Sequence, residues 1–201
     1  MTATALAFGP IGDNAVHLCV DMQRMFAART EWHMPWLHRV LPNIITIAAA
    51  HPQRTVFTRF IPADRPGEGR GTWKRYYERW ASMTAEALGE EPLELVPELS
   101  RLTPPGRVYD KYVYSPWEGD LDIQLQQRGI DTLIVSGGET EVCVLATVLG
   151  AVDLGYRVII ATDAVCSSSD ETHDAAIDLY HRRYGTQVEP VETETIVKHW
   201  R

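Results

Sequence analysis

Residues 132–144 read Thr-Leu-Ile-Val-Ser-Gly-Gly-Glu-Thr-Glu-Val-Cys-Val. The first five form a short apolar run with the composition of a buried β-strand. The pair Gly137–Gly138 breaks the run. Residues 141–154 then follow a helical pattern, and Gly155 supplies a C-terminal stop. Strand, tight turn and helix in that order make half of a βαβ unit, and the rest of the chain repeats the theme.

Working outward, residues 157–161 (RVIIA) read as the next strand and 169–184 as the next helix. A short strand at 186–189 and a tail helix at 193–200 follow. Towards the N-terminus, 121–128 is helical and stops at Gly129, and 107–109, or to Lys111, is a short strand. Residues 55–60 (TVFTRF) and 15–20 (AVHLCV) complete the strands. Between them 34–50 reads as a helix, with Pro35 tolerated in its first turn and Pro42 a poor fit inside. The alternation predicts an α/β protein: a doubly wound, mostly parallel six-stranded sheet with helices on both faces, a Rossmann-like three-layer sandwich. Residues 62–88 break the alternation. A Pro-, Gly- and charge-rich stretch leads into a helix over 71–88 carrying Trp73, Tyr76, Tyr77 and Trp80. This excursion caps a pocket, forms a subunit contact, or simply covers the sheet.

A length of 201 residues suits one domain. A net charge of −8 argues against a nucleic-acid partner, which would demand clustered Lys and Arg. No stretch approaches the ~20 apolar residues that span a bilayer, and residues 1–10 do not read as a secretory leader. Three cysteines without close spacing suit a reducing compartment, so a cytoplasmic location is expected.

In open α/β sheets the site forms at the carboxyl ends of the strands. Three residues there carry chemistry. Cys143 sits in the first turn of the helix after the Gly-Gly turn, where free N–H groups and the helix dipole favour a thiolate and could hold an oxyanion. A small buried apolar residue is the plain alternative. Asp21 follows an all-apolar strand directly, and an N-cap is its alternative. Lys111 follows a short strand, and a surface lysine is its alternative. Together they place a nucleophile, a base and a cation at three strand ends.

Four stretches resemble the isochorismatase-like cysteine hydrolase superfamily, which includes nicotinamidases and N-carbamoylsarcosine amidases. They are Asp21–Met22–Gln23, the 111–115 stretch KYVYS, the 137–144 stretch GGETEVCV, and the 155–158 stretch GYRV leading to Thr162–Asp163–Ala164. The resemblance implies a catalytic triad of Asp21, Lys111 and Cys143. It implies a cis peptide at Gly138–Glu139 and an oxyanion hole from the backbone N–H groups of Glu139 and Cys143. It further implies hydrolysis of an amide, ureide or N-carbamoyl C–N bond through a thioester, and a homo-oligomer, dimer or tetramer. Phe60 and Pro62 stand where metal-dependent relatives carry their first ligands, so neither a catalytic metal nor a cofactor is expected. Phe26, Phe60, Trp73 and Trp117 are the candidates for contacting a small-molecule substrate. Glu139 faces the substrate on this reading, and Glu141 points away or pairs with a basic group. His173 reads as structural, and Cys166 as a bystander in a loop.

Two competing readings stand beside this one. A non-catalytic oligomeric binding protein would keep the fold and lose a triad member. A phosphatase acting through Asp21 would want a second Asp at position 23, which is Gln.

Overall fold

A computed structural model describes residues 6–201, so the first half of the 1–10 stretch lies outside the described residues. The six strands are β1 (Ala15–Val20), β2 (Thr55–Phe60), β3 (Arg107–Lys111), β4 (Thr132–Gly138), β5 (Arg157–Cys166) and β6 (Val188–Val191). They form one sheet in the order β3-β2-β1-β4-β5-β6, and every pairing is parallel. The chain winds from β1 out to β3, then from β4 out to β6. The switch point therefore falls between β1 and β4, where a crevice opens at the strand ends.

Among the described residues six helices run seven residues or more: α1 (Leu37–Ala50), α2 (Trp73–Arg79), α3 (Leu121–Gln127), α4 (Leu145–Asp153), α5 (Asp170–Arg183) and α6 (Thr193–His199). The strands are buried on both faces, which is why β1 is continuously apolar but for His17. Ala15 and Cys19 face a core built with Leu37, Ile44 and Ile196 of α1 and α6. Val16, Leu18 and Val20 face a second core with Leu121, Val148 and Tyr180 of α3, α4 and α5. Each buried aliphatic side chain contributes about 1.5–3 kcal/mol.

The structure departs from the sequence reading in four places. The helix expected over 34–50 begins at Leu37, which leaves Pro35 ahead of its first turn. Pro42 lies inside α1 as expected; six buried apolar residues on that helix offset the ~3 kcal/mol cost of an interior proline. The helix expected over 71–88 is broken. It stops at Trp80, turns through a 3-10 segment Ala81–Met83, and resumes at Ala85–Leu88. Met83 is buried by that turn, and the N–H groups of Ala85 and Glu86 bond to the carbonyls of Ala63 and Asp64 instead of an upstream helical turn. β5 runs to Cys166 because residues beyond a register shift pair again with Gly137 and Gly138. β6 begins two residues later than expected, since Gln187 and Val188 still bond back to Tyr184. Among the described residues no helix is long and apolar enough to cross a membrane.

His17 is the polar exception in the central strand. It is fully buried, with Nε2 2.7 Å from Ser136 Oγ and Nδ1 3.5 Å from Thr55 Oγ1. Burial lowers its pKa from 6.5 to about 3. The unfolded chain therefore binds a proton below pH ~6.5 that the folded chain refuses. Stability should fall as the pH drops from 6.5 towards 3, by up to ~1.4 kcal/mol per pH unit from this group. Urea unfolding of wild type and His17→Gln between these limits checks it. The wild type should lose stability more steeply; parallel curves contradict the assignment.

Candidate active site

Asp21 ends β1 in a left-handed conformation (φ 51°), unusual for a residue with a side chain. Thr58, at the facing position on β2, holds it. The Asp21 N–H donates to the Thr58 carbonyl and hydroxyl, each at 3.2 Å, and Thr58 Oγ1 donates to Asp21 Oδ1 at 2.6 Å. Oδ2 meets Lys111 Nζ at 2.7 Å, both side chains being almost fully buried. Lys111 Nζ also donates to the Val113 carbonyl at 3.2 Å and lies 5.2 Å above the Phe60 ring. Gln23, where a phosphatase would carry its second Asp, is a clip. Its amide donates to the Phe60 and Leu93 carbonyls and accepts from the Phe60 N–H.

Cys143 enters from β4. The Gly138–Glu139 peptide is cis, and the chain makes a π-type turn, Thr140–Val144, before α4. The Glu139 carbonyl accepts from the N–H groups of Val142 and Val144, so neither bond uses the Cys143 N–H. Cys143 is buried, and its thiol interacts electrostatically with Asp21 and Lys111. Burial pushes it well above its ordinary pKa; Lys111 opposes the shift and Asp21 adds to it. A free thiolate favoured by the helix end was the expectation. Desolvation by the closed site outweighs that local preference. Burial likewise pulls at Lys111, but its interactions with Asp21, foremost, and with Cys143 outweigh it and hold the ammonium above its ordinary value.

Cys143 lines a narrow pocket of about 300 Å³, its open mouth included, and the Asp21–Lys111 pair is buried beside it. Its walls are Phe26, Trp32, Phe60, Tyr76, Tyr114 and Val142, and Glu139 is the acid among the lining residues. Burial raises the Glu139 carboxyl; the Ser168 hydroxyl, donating at 2.5 Å, opposes that. The Trp32 indole N–H is buried with no protein acceptor, a donor left for a bound molecule. Glu141 turns away from the pocket and pairs with hydroxyls, not a cation: it accepts from Ser167 at 2.7 Å and Thr172 at 2.5 Å. His173 Nδ1 lies 2.8 Å from Thr140 Oγ1 and steadies the turn.

Of the expected substrate contacts, Phe26 and Phe60 line this pocket and two residues do not. Trp117 lies on the α3–α4 side of the sheet. Its indole donates to the Thr147 carbonyl at 2.9 Å and stacks on Tyr156, which fixes it in the second core. Trp73 stands one layer out, 4.8 Å from the Tyr114 ring and 5.0 Å from that of Tyr76. Cys166 is not in a loop but ends β5, fully buried, its thiol pushed up to about 12 by burial. Trp32, Tyr76, Tyr114 and Thr58 had no assigned role from sequence. Tyr114 and Thr58 carried a signal, lying just after one strand and inside another beside the switch point; Trp32 carried none. Among the described residues no group of three or more His, Cys, Asp or Glu could hold a metal ion.

Fold and site define a class: a doubly wound α/β protein with a buried cysteine, carboxylate and lysine at the switch point. A family model for the isochorismatase domain matches residues 15–192, and the chain belongs to the isochorismatase family. A protein of Bacillus subtilis, the uncharacterized isochorismatase family protein YwoC, is 44% identical over 66 residues, 33% of this chain and 35% of that protein. The match thus spans about a third of that relative's length. Nicotinamidase 3 of Arabidopsis thaliana is 28% identical over 169 residues, 81% of this chain and 78% of the relative. A cysteine hydrolase structure from Pseudomonas syringae pv. phaseolicola superposes with a TM-score of 0.80 at 22% identity, covering 92% of each chain, which shows the shared fold.

The approach of β1 and β4 depends on Gly137. It has φ +106°, and a Cβ there would stand 2.1 Å from the Val20 carbonyl oxygen. Gly137→Ala should lower stability by more than about 2 kcal/mol, since backbone must move in a packed core. Gly129→Ala, where φ is +69° but space is open, should cost only about 1 kcal/mol. Comparable melting temperatures for the two variants would contradict this.

Proposed function

We propose that this chain is a cysteine-dependent amidohydrolase that cleaves a C–N bond of a small amide, ureide or N-carbamoyl compound. The observation that carries the reading is a buried Asp21–Lys111 ion pair beside a buried thiol at the floor of a narrow pocket. Burying two charges costs several kcal/mol per ion before their attraction repays it, so packing alone gives little reason to keep them.

In the proposed reaction Asp21 takes the Cys143 proton as the sulfur attacks the substrate carbonyl carbon. The carbonyl π pair moves to oxygen, where the backbone N–H groups of Glu139 and Cys143 receive it. The tetrahedral adduct collapses, the C–N bond breaks, and the proton on Asp21 passes to the departing nitrogen. A water then gives a proton to Asp21 and attacks the thioester. The C–S bond breaks and the proton returns to sulfur. Lys111 stays charged throughout and holds the Asp21 carboxyl in place between proton transfers. The raised thiol is no obstacle, because its proton leaves during attack rather than before it.

The aromatic walls favour a flat, neutral reacting end. Glu139 can hold an N–H beside the scissile bond, and Trp32 can donate to an acceptor on the same molecule. The nicotinamidase relative acts, by its name, on a compound of this shape, which supports the reading of the pocket.

Ammonia release from a panel of small amides, ureides and carbamoyl acids tests the reaction class. Wild type should turn over at least one member, with chelator making no difference, and Cys143→Ala should lose at least ~10³-fold. An alanine variant with normal kcat ends the proposal. Thr58→Val should lower kcat by about tenfold or more, because a hydrogen bond to a charged group is worth about 1.5–3 kcal/mol. Thr58→Ser should restore most of it. Equal loss in both would make Thr58 a packing residue only.

A further inference from the structure

Outside the catalytic pocket lies a second, open groove of about 880 Å³ on α2. Tyr76 and Tyr114 border both spaces, and their rings meet edge to face with centroids 6.2 Å apart. The groove therefore continues the pocket outward past a pair of tyrosines. Trp73 and Trp80 give it an aromatic floor. Arg75 and Arg79, one helical turn apart, stand over it. Arg79 lies 4.6 Å above the Trp80 ring, and among the described residues neither arginine has an acidic partner within ion-pair distance. Arg59, by contrast, is committed to Asp110 and Glu94, Arg65 to Glu86, and Arg157 to Glu189. Residues 70–80 carry four basic side chains and one acid in a chain whose net charge is −8. The basic rim is thus a local reversal of sign at the mouth of the site.

We propose that this vestibule binds a carboxylate at the far end of the substrate, with Arg75 and Arg79 as its ligands and the reacting amide directed inward. The inference rests on the hydrolase reading of Cys143 and adds the charge and reach of the substrate. The orientation follows from the inner pocket, where the lining acid, Glu139, would repel an anion. A neutral end goes in and the charged end stays out. Guanidinium groups match a carboxylate in shape as well as charge, and the aromatic floor supports the linking chain.

The test uses alkylation of Cys143, so no substrate needs to be known. Two iodoacetamides of matched length, one with an N-carboxypropyl tail and one with an N-butyl tail, are compared with the same pair reacting with 2-mercaptoethanol. Wild type should favour the carboxylate reagent about fivefold over the small-thiol ratio, as expected for two exposed charge contacts. R75Q/R79Q should abolish that preference and leave the N-butyl rate unchanged. Raising ionic strength from about 20 mM to about 0.5 M should weaken the wild-type preference. Equal preference in wild type and the double variant overturns the anion site while leaving the nucleophile intact. A fall in oligomer mass in the double variant, with the preference unaltered, makes the groove a subunit contact instead and overturns it too. If neither reagent labels Cys143, the hydrolase reading falls and takes this inference with it.

Discussion

The Asp21–Lys111 ion pair sits between strands that touch only through their neighbour. β1 carries the carboxylate and β3 the ammonium, with β2 between them. The pair can close only if all three strands keep register, so that Thr58 reaches Asp21 and Phe60 lies beneath Lys111. Losing one partner would leave a lone buried charge, at a cost of about 3–5 kcal/mol. Register and charge therefore support each other. The Gln23 clip secures the same edge from the backbone side, tying β1 to the end of β2 and to the 91–93 turn.

Cys143 comes from the other half of the sheet. β4 must approach β1 closely enough to set Cys143 against the pair, which is why Gly137 has no room for a side chain. The bulge opposite β5 and the π-type turn after it re-aim the chain so that the thiol points back across the switch point. The desolvation that makes this thiol a poor acid at rest also strengthens each electrostatic contact a reacting carbonyl would meet there.

Much of this was legible in the sequence. Strand runs bounded by glycine stops fixed the sheet, and the strand-end rule singled out Asp21, Lys111 and Cys143, which the structure brings together. What stayed hidden depends on long-range packing. Trp32 reaches the pocket through an irregular stretch after β1 that has no periodicity to read. The 71–88 segment read as one helix, yet it breaks at 81–83, where Met83 turns into the core. Phe60 ends a strand and so stays at the site, whereas Trp117 lies six residues past β3 and the chain turns it onto α4. Raised acidity at a helix start was a sound local argument for Cys143, and it failed because sequence does not report how dry the site is.

The most direct measurement is the intact mass of the protein acid-quenched during turnover of an amide that releases ammonia. The account predicts an acyl adduct on Cys143, with the mass of the substrate less its amine. It predicts that Lys111→Met, folded by circular dichroism, forms that adduct far more slowly. Steady turnover with no adduct at Cys143, or undiminished acylation without Lys111, would contradict the buried ion pair and thiol as one catalytic unit.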